Sequence, residues 1–269
     1  MRYEKIFFPG YGEDVYLECY ISEIGSNNPK DALLICPGGA YEFVSVREGE
    51  PVALAFQAQG IQTFVLHYSV APKAIFPEPL IQASLAMKWI REHAEEYMIN
   101  PKRVFVTGFS AGGHLCASLG TLWHHPLLKE AGIPEGINKP TGILPIYPVI
   151  STQPELCSDV QVRCFVNILG RNTMSHSAED YSLELCVDER TPPAFLVHTS
   201  NDQVVYAGNS LVFAQALAKY KIPYELHIYH EGAHGMSVCN EITENGDPTM
   251  NDPHKAGWVK LAAEWIKSI

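Results

Sequence analysis

The sequence predicts an α/β fold, with a mostly parallel central sheet covered by helices on both faces. Three observations predict it. Strand-like runs recur at residues 32–36, 61–70, 104–107, 142–147, 193–198 and 224–229. Most are apolar throughout rather than alternating, as strands buried on both faces require. Stretches of helical spacing lie between them, and that alternation is the pattern of βαβ units.

Taken in order, residues 15–21 read as a strand with residues 5–8 as its hairpin partner, and Asn27-Asn-Pro-Lys30 as a turn. The run 32–36 stops at Pro37-Gly-Gly-Ala-Tyr41. A helix is expected over 51–59, because proline is favoured at a first helical position and Gly60 ends it. The strand 61–70 closes at Ala71-Pro72. Residues 79–97 carry helical spacing through Leu80, Leu85, Trp89 and Ile90, and Asn100-Pro101 stops them. Glu92, Glu95 and Glu96 then share a solvated side of that helix.

The strand 104–107 leads into a helix marked by Leu115, Cys116, Leu119 and Leu122. His124-His125 is expected to end it as a partner of the C-terminal dipole. The strand 142–147 is irregular at its proline. Residues 151–190 mix polarity with short helical signals and are expected to form an insertion over the strand ends. A helix over 209–219, a polar loop over 240–252 and an amphipathic helix over 253–269 complete the chain. No repeat, low-complexity tract or linker breaks this order, so residues 1–269 are expected to form a single domain.

Bulk properties narrow the function. The 269 residues are 46% apolar, enough to bury a full core. A net charge of -11 and a pI of about 5.4 leave no electrostatic footprint for nucleic acid or an anionic membrane. No apolar run is long enough to span a bilayer. The first ten residues lack the apolar core and small-residue cleavage site of a signal peptide. Seven cysteines without a C-x-x-C pair are expected to be reduced thiols, with Cys36 and Cys116 buried. Together these features predict a soluble cytoplasmic protein.

Ligands of parallel α/β sheets bind outside the carboxyl ends of the strands. Four reactive groups fall there. Gly38-Gly39-Ala40 follows 32–36. Gly108-Phe-Ser110-Ala-Gly112 follows 104–107. Asp202 follows 193–198, and His234 follows 224–229. The glycines flanking Ser110 let strand and helix approach without a Cβ in the way. A serine hydroxyl needs a base to take its proton. An imidazole with an unperturbed pKa of about 6.5 suits that role, and a carboxylate fixes its tautomer. Backbone N–H groups of a glycine-rich turn hold an oxyanion, one such donor being worth roughly 3–4 kcal/mol. Ser, then Asp, then His is the chain order of one family of hydrolases.

On these motifs the chain resembles the α/β-hydrolase superfamily. Within it, the chain is similar to the small esterases related to hormone-sensitive lipase, acetyl xylan esterase and dienelactone hydrolase, in the feruloyl/acetyl esterase-like branch. The resemblance runs from about Ala32 to the C-terminus and is weakest over 151–190. It is carried by Pro37-Gly-Gly-Ala-Tyr41, Phe76-Pro77, Gly108-Phe-Ser-Ala-Gly-Gly-His114, Asn201-Asp202 and Gly232-Ala-His234-Gly. It implies an α/β-hydrolase fold with Ser110 as nucleophile, Asp202 as acid and His234 as base. The oxyanion donors would be the N–H groups of Gly39, Ala40 and Ala111.

It further implies hydrolysis of carboxylic esters through an acyl-enzyme, without cofactor or metal, on short-acyl esters of carbohydrates or small alcohols. Three departures stand out. Pro37-Gly-Gly-Ala40 replaces His-Gly-Gly-Gly, and Tyr68-Ser-Val-Ala-Pro72 replaces Tyr-Arg-Leu-Ala-Pro. The long N-terminal cap of the lipase-like group is missing ahead of the first strands, which implies an open site.

Competing assignments stay in view. Asp202 is alternatively a cap of the helix 209–219, and Asp188, Glu189 and Glu231 are rival acids, Glu231 lying too near His234 to come from a separate strand end. A metal cluster of His227, His230 and His234 is disfavoured, because His227 and His230 point to opposite faces of an extended chain. His114 is expected to pack beneath the serine. Tyr41 and Phe43 either line the acyl or alcohol pocket or pack in the core. The same triad also serves a peptidase or amidase, an arylformamidase-like enzyme included. A catalytically silent binding protein is the alternative of another class.

Overall fold

The computed structural model describes residues 1–24, 28–170 and 181–269. Strands β1 (Arg2–Phe7) and β2 (Tyr16–Ile21) form an antiparallel hairpin, and β2 pairs antiparallel with β4 (Gln62–His67). From β4 onward the pairing is parallel, through β3 (Lys30–Cys36), β5 (Ile99–Phe109), β6 (Ile143–Ile146), β7 (Ala194–Thr199) and β8 (Tyr224–Tyr229). The sheet order is β1-β2-β4-β3-β5-β6-β7-β8. The register sets Cys36 beside Gly108, and Phe109 beside Ile146. The carboxyl ends of the central strands therefore lie side by side.

Alternation along β5 feeds two cores. Val104 and Val106 face one, where helices α2 (Glu78–Glu92), α3 (Ala111–Leu122) and α6 (Gly208–Lys219) bury Met87, Leu115 and Phe213. Phe105 and Phe109 face the other, under helices α1 (Glu50–Gln57) and α8 (Trp258–Ser268). There the buried Trp258 meets Phe56 and Phe109 with ring centroids 5.8 and 6.1 Å apart. Burial of each large apolar side chain contributes roughly 1.5–3 kcal/mol.

Three local expectations change. Helix α2 ends at Glu92, so Glu95 and Glu96 lie beyond it, where Glu96 pairs with Arg2 at 2.6 Å. His125 does not serve the C-terminus of α3: its Nδ1 accepts the Leu127 N–H and caps helix α4 (Pro126–Glu130). The closing helix is split at Gly257 into α7 (Pro253–Ala256), capped by Asp252, and α8. Within the expected insertion, helix α5 (Asp159–Leu169) starts at the Ser158 cap and stops at left-handed Gly170. Its buried Cys164, Phe165 and Ile168 dock on the core, and Asn167 Nδ2 donates to Ala40 O at 2.8 Å. It thereby covers the loop after β3. Residues 171–180 of that insertion, and Asn27 of the early turn, lie outside the described residues.

Candidate active site

Ser110 joins β5 to α3 at φ 53 and ψ -116. A non-glycine residue in that region is strained and persists only where its surroundings impose it. They do here. A Cβ at Gly108 would lie 2.0 Å from Gly112 O, and one at Gly112 would lie 2.0 Å from Cys36 O. The Ser110 N–H donates to Ile146 O at 3.1 Å, and its carbonyl accepts from His114 N and Val149 N, each at 3.1 Å. The hydroxyl is thus held on a fixed, nearly buried turn.

The loops after β7 and β8 bring Asp202 and His234 to that hydroxyl. Ser110 Oγ is 2.8 Å from His234 Nε2, and His234 Nδ1 is 2.7 Å from Asp202 Oδ2. A carboxylate only accepts, so Nδ1 carries the proton and Nε2 faces the serine as an acceptor. The Asp202 side chain is fully buried. Its Oδ1 accepts from the N–H groups of Val204 and Val205 at 2.8 and 3.0 Å. Burial alone would raise its pKa, but hydrogen bonding to His198, His234 and the Val205 N–H holds the carboxyl well below the usual range. Asp202 thus caps its own turn rather than helix α6, which starts at Gly208.

The glycine turn after β3 closes the site. Gly39 and Ala40 take φ 128 and φ 55, and a Cβ at Gly39 would lie 2.0 Å from Phe43 O. Among the described residues, no protein acceptor takes the N–H of Gly39, Ala40 or Ala111. Ala111 is the first residue of α3, and such an N–H has no intrahelical partner. The N–H of Gly38, by contrast, donates to Glu48 Oε2 at 2.8 Å.

Of the two aromatic candidates, only Phe43 is open, at 57% exposure. Tyr41 is 1% exposed, and its hydroxyl donates to His114 Nδ1 at 3.0 Å. Tyr41 is therefore a core residue, because its hydroxyl finds a partner beneath the loop and not in the site. Burial pushes the His114 pKa down to about 4, so its ring is neutral at pH 7. The thiols of Cys36 and Cys116 are buried, and burial pushes both upward.

None of the rival acids takes the place of Asp202 at His234 Nδ1. Asp188 pairs with Arg190, and Glu189 lines the surface beside Pro193, ahead of the amino end of β7. Glu231 is exposed beside His230, 3.4 Å from its Nε2. His227 pairs with Glu225 at 3.1 Å. A cleft of about 620 Å³ flanks His234, lined by Asn201, Gln203, Glu231, Thr249, Asn251 and Lys255 among others.

Four further residues support this geometry: Arg47, Glu48, Tyr147 and His198. His198 Nε2–H donates to Val205 O at 2.9 Å and its Nδ1 accepts from Ser210 Oγ at 2.8 Å, which holds the Asp202 turn. Tyr147 and His198 sit at strand ends, and the rule that found Asp202 would have reached them. Arg47 and Glu48 carry no such signal, since they lie in a short turn at Val46–Glu48.

Fold and placement of these groups define an α/β hydrolase. The chain is similar to the acetyl ester-xyloside bifunctional hydrolase of Caldicellulosiruptor lactoaceticus, with a TM-score of 0.79 and 32% identity over 98% of this chain and 91% of that one. A carboxylesterase of Lactobacillus plantarum superposes with a TM-score of 0.84 at 25% identity, covering 99% and 97%. In sequence, endo-1,4-beta-xylanase B of Butyrivibrio fibrisolvens is 35% identical over 79% of this chain and 33% of that protein. Acetylxylan esterase of Xylanibacter ruminicola is 27% identical over 93% of this chain and 48% of that protein. The chain thus spans a third to a half of the length of these two relatives. The BD-FAE family model matches residues 17–217, and the chain belongs to that family. Among the described residues no helix is long and apolar enough to cross a membrane.

Proposed function

We propose that the protein is a serine hydrolase of carboxylic esters, with Ser110, His234 and Asp202 as its catalytic triad. The observation that carries this is the unbroken relay from Ser110 Oγ to Nε2 at 2.8 Å and from Nδ1 to Asp202 at 2.7 Å. Ser110 Oγ attacks the ester carbonyl carbon while its proton passes to His234 Nε2. The tetrahedral oxyanion accepts from the N–H groups of Gly39, Ala40 and Ala111, each such donor contributing roughly 3–4 kcal/mol. The intermediate collapses, the C–O bond breaks, and the leaving oxygen takes the proton from His234. The acyl-enzyme is then hydrolysed by a water that His234 deprotonates in the same way. Asp202 stays ionised throughout and stabilises the imidazolium.

Short acyl groups on carbohydrates or small alcohols are the proposed substrates. Supporting this are the names of an acetylxylan esterase and an acetyl ester-xyloside hydrolase among the relatives, and the side chains of Asn201, Gln203, Thr249 and Asn251 along the cleft beside His234. Rates on p-nitrophenyl esters from acetyl to octanoyl, with acetylated xylo-oligosaccharides, test the assignment. The expected outcome is highest kcat/KM on acetyl esters and complete loss in Ser110→Ala with an unchanged circular dichroism spectrum. Faster turnover of an aminoacyl anilide or a formanilide would replace the esterase with an amidase, and full activity of Ser110→Ala would end the triad assignment.

A further inference from the structure

One dipeptide ties together the two loops that the proposed chemistry requires. Glu48 is 4% exposed. Its Oε2 accepts the Gly38 N–H at 2.8 Å, on the loop that carries Gly39 and Ala40. Its Oε1 accepts the Tyr147 O–H at 2.8 Å. The Tyr147 oxygen in turn accepts the Ser237 N–H at 3.0 Å, on the loop that carries His234. The Tyr147 ring also stands edge-on to the His234 imidazole, 5.1 Å between centroids.

Arg47 also grips the His234 loop. Its guanidinium donates to Gly235 O at 3.0 Å and to Thr243 O at 2.8 Å, and its carbonyl accepts from Ser237 Oγ at 2.6 Å.

The residue types fit the task. The Tyr147 oxygen already accepts from Ser237, so its proton must go to an acceptor, while Gly38 presents a second donor. Only a carboxylate offers an acceptor oxygen to each; a glutamine offers one oxygen and an unwanted N–H. The fit is also close. A Cβ at Gly38 would lie 2.7 Å from Glu48 Oε2 and 3.1 Å from Ser110 Cβ. The linked loops hold non-glycine residues at left-handed φ, Ala40 at 55, Tyr147 at 37 and Ser237 at 50. Such residues persist where the surroundings over-determine them.

We propose that Arg47 and Glu48 are positioning residues that set the oxyanion donors and the His234 imidazole at a fixed separation. This rests on the serine-hydrolase assignment above. The bracket touches no reacting atom. It acts by holding two loops that would otherwise move independently, and a misplacement of about 1 Å at such a site costs on the order of 100-fold in rate.

The test uses Glu48→Gln, Tyr147→Phe and the double variant, with p-nitrophenyl acetate as substrate. Active sites are counted by fluorophosphonate titration and folding is followed by Tm. Each single variant is expected to lower kcat per titrated site by about 10- to 100-fold, with KM within about threefold. The double is expected to be no slower than the slower single, because both changes break one link. The proposal is overturned if both singles keep kcat within about twofold, if the loss resides only in a smaller titratable fraction, or if the two losses multiply. Should Glu48→Gln fail to fold, Tyr147→Phe decides alone, since it keeps the ring packed. A wild-type chain with neither turnover nor labelling overturns the serine-hydrolase assignment and the bracket with it. A labelled, active wild type beside unchanged variants overturns the bracket alone.

Discussion

Asp202→Asn is the most informative single substitution at the site. Asparagine matches aspartate in shape, so the turn survives. Its amide has one acceptor and one donor, and the structure decides which faces where. The Oδ1 position faces two donors, the N–H groups of Val204 and Val205 at 2.8 and 3.0 Å. The amide oxygen must sit there. The NH₂ then points at His234 Nδ1, where the carboxylate oxygen stood 2.7 Å away. Facing a donor, Nδ1 gives up its proton, and the proton moves to Nε2. Nε2 is 2.8 Å from Ser110 Oγ and is now a donor, so it no longer accepts the serine proton. A wrong tautomer of this kind costs about 10⁴ in kcat, which is about 5.4 kcal/mol of transition-state stabilisation. The assay is p-nitrophenyl acetate hydrolysis at pH 7.5, with KM recorded and folding checked by circular dichroism. A loss of kcat under tenfold in a folded variant would refute the tautomer argument.

Three further outcomes follow from the same geometry. Gly112→Ala places a Cβ 2.0 Å from Cys36 O and 2.3 Å from Pro37 O, both backbone; a destabilisation above about 3 kcal/mol is expected, and a Tm within about 2 °C of wild type would contradict it. Asn209 is buried, with its oxygen accepting from Ile150 N, Ser151 N and Gln161 Nε2; Asn209→Ala should cost about 2–4 kcal/mol in urea unfolding, and a cost below about 0.5 kcal/mol would contradict it. Burial would raise the Glu18 pKa, but His67, Tyr3 and Lys5 bring the carboxyl down to about 2. A depressed folded pKa contributes stability that is present above the unfolded value of about 4.3 and lost as pH falls toward the folded one. Glu18→Gln should therefore flatten the fall in unfolding free energy across that acid window, and parallel profiles would contradict the assignment.

Legibility in the sequence followed the range of the interactions. Strands β3, β5 and β7 were readable because burial on both faces leaves continuous apolar runs. Ser110, Asp202 and His234 were readable because each follows a strand end and their order fits one hydrolase family. Of the residues that hold them, Arg47 and Glu48 were not. Glu48 meets Tyr147 across 99 positions, and Arg47 meets Gly235 across 188; no local pattern marks such pairs. Tyr41 was ambiguous because an aromatic residue after a strand suits either a pocket or a core, and only its bond to His114 decides. Helix ends slipped where polar residues continued past the last turn, as at Glu95 and Glu96. Gly257 splits the closing helix although the apolar stripe runs on beyond it.

The most direct test of the central claim is covalent capture of the nucleophile. A fluorophosphonate probe is incubated with the wild-type chain, and intact mass and peptide mapping locate the adduct. One equivalent on Ser110, with loss of esterase activity in step with labelling and no adduct in Ser110→Ala, is the predicted result. An unlabelled chain, or an adduct elsewhere that leaves ester hydrolysis intact, would contradict it.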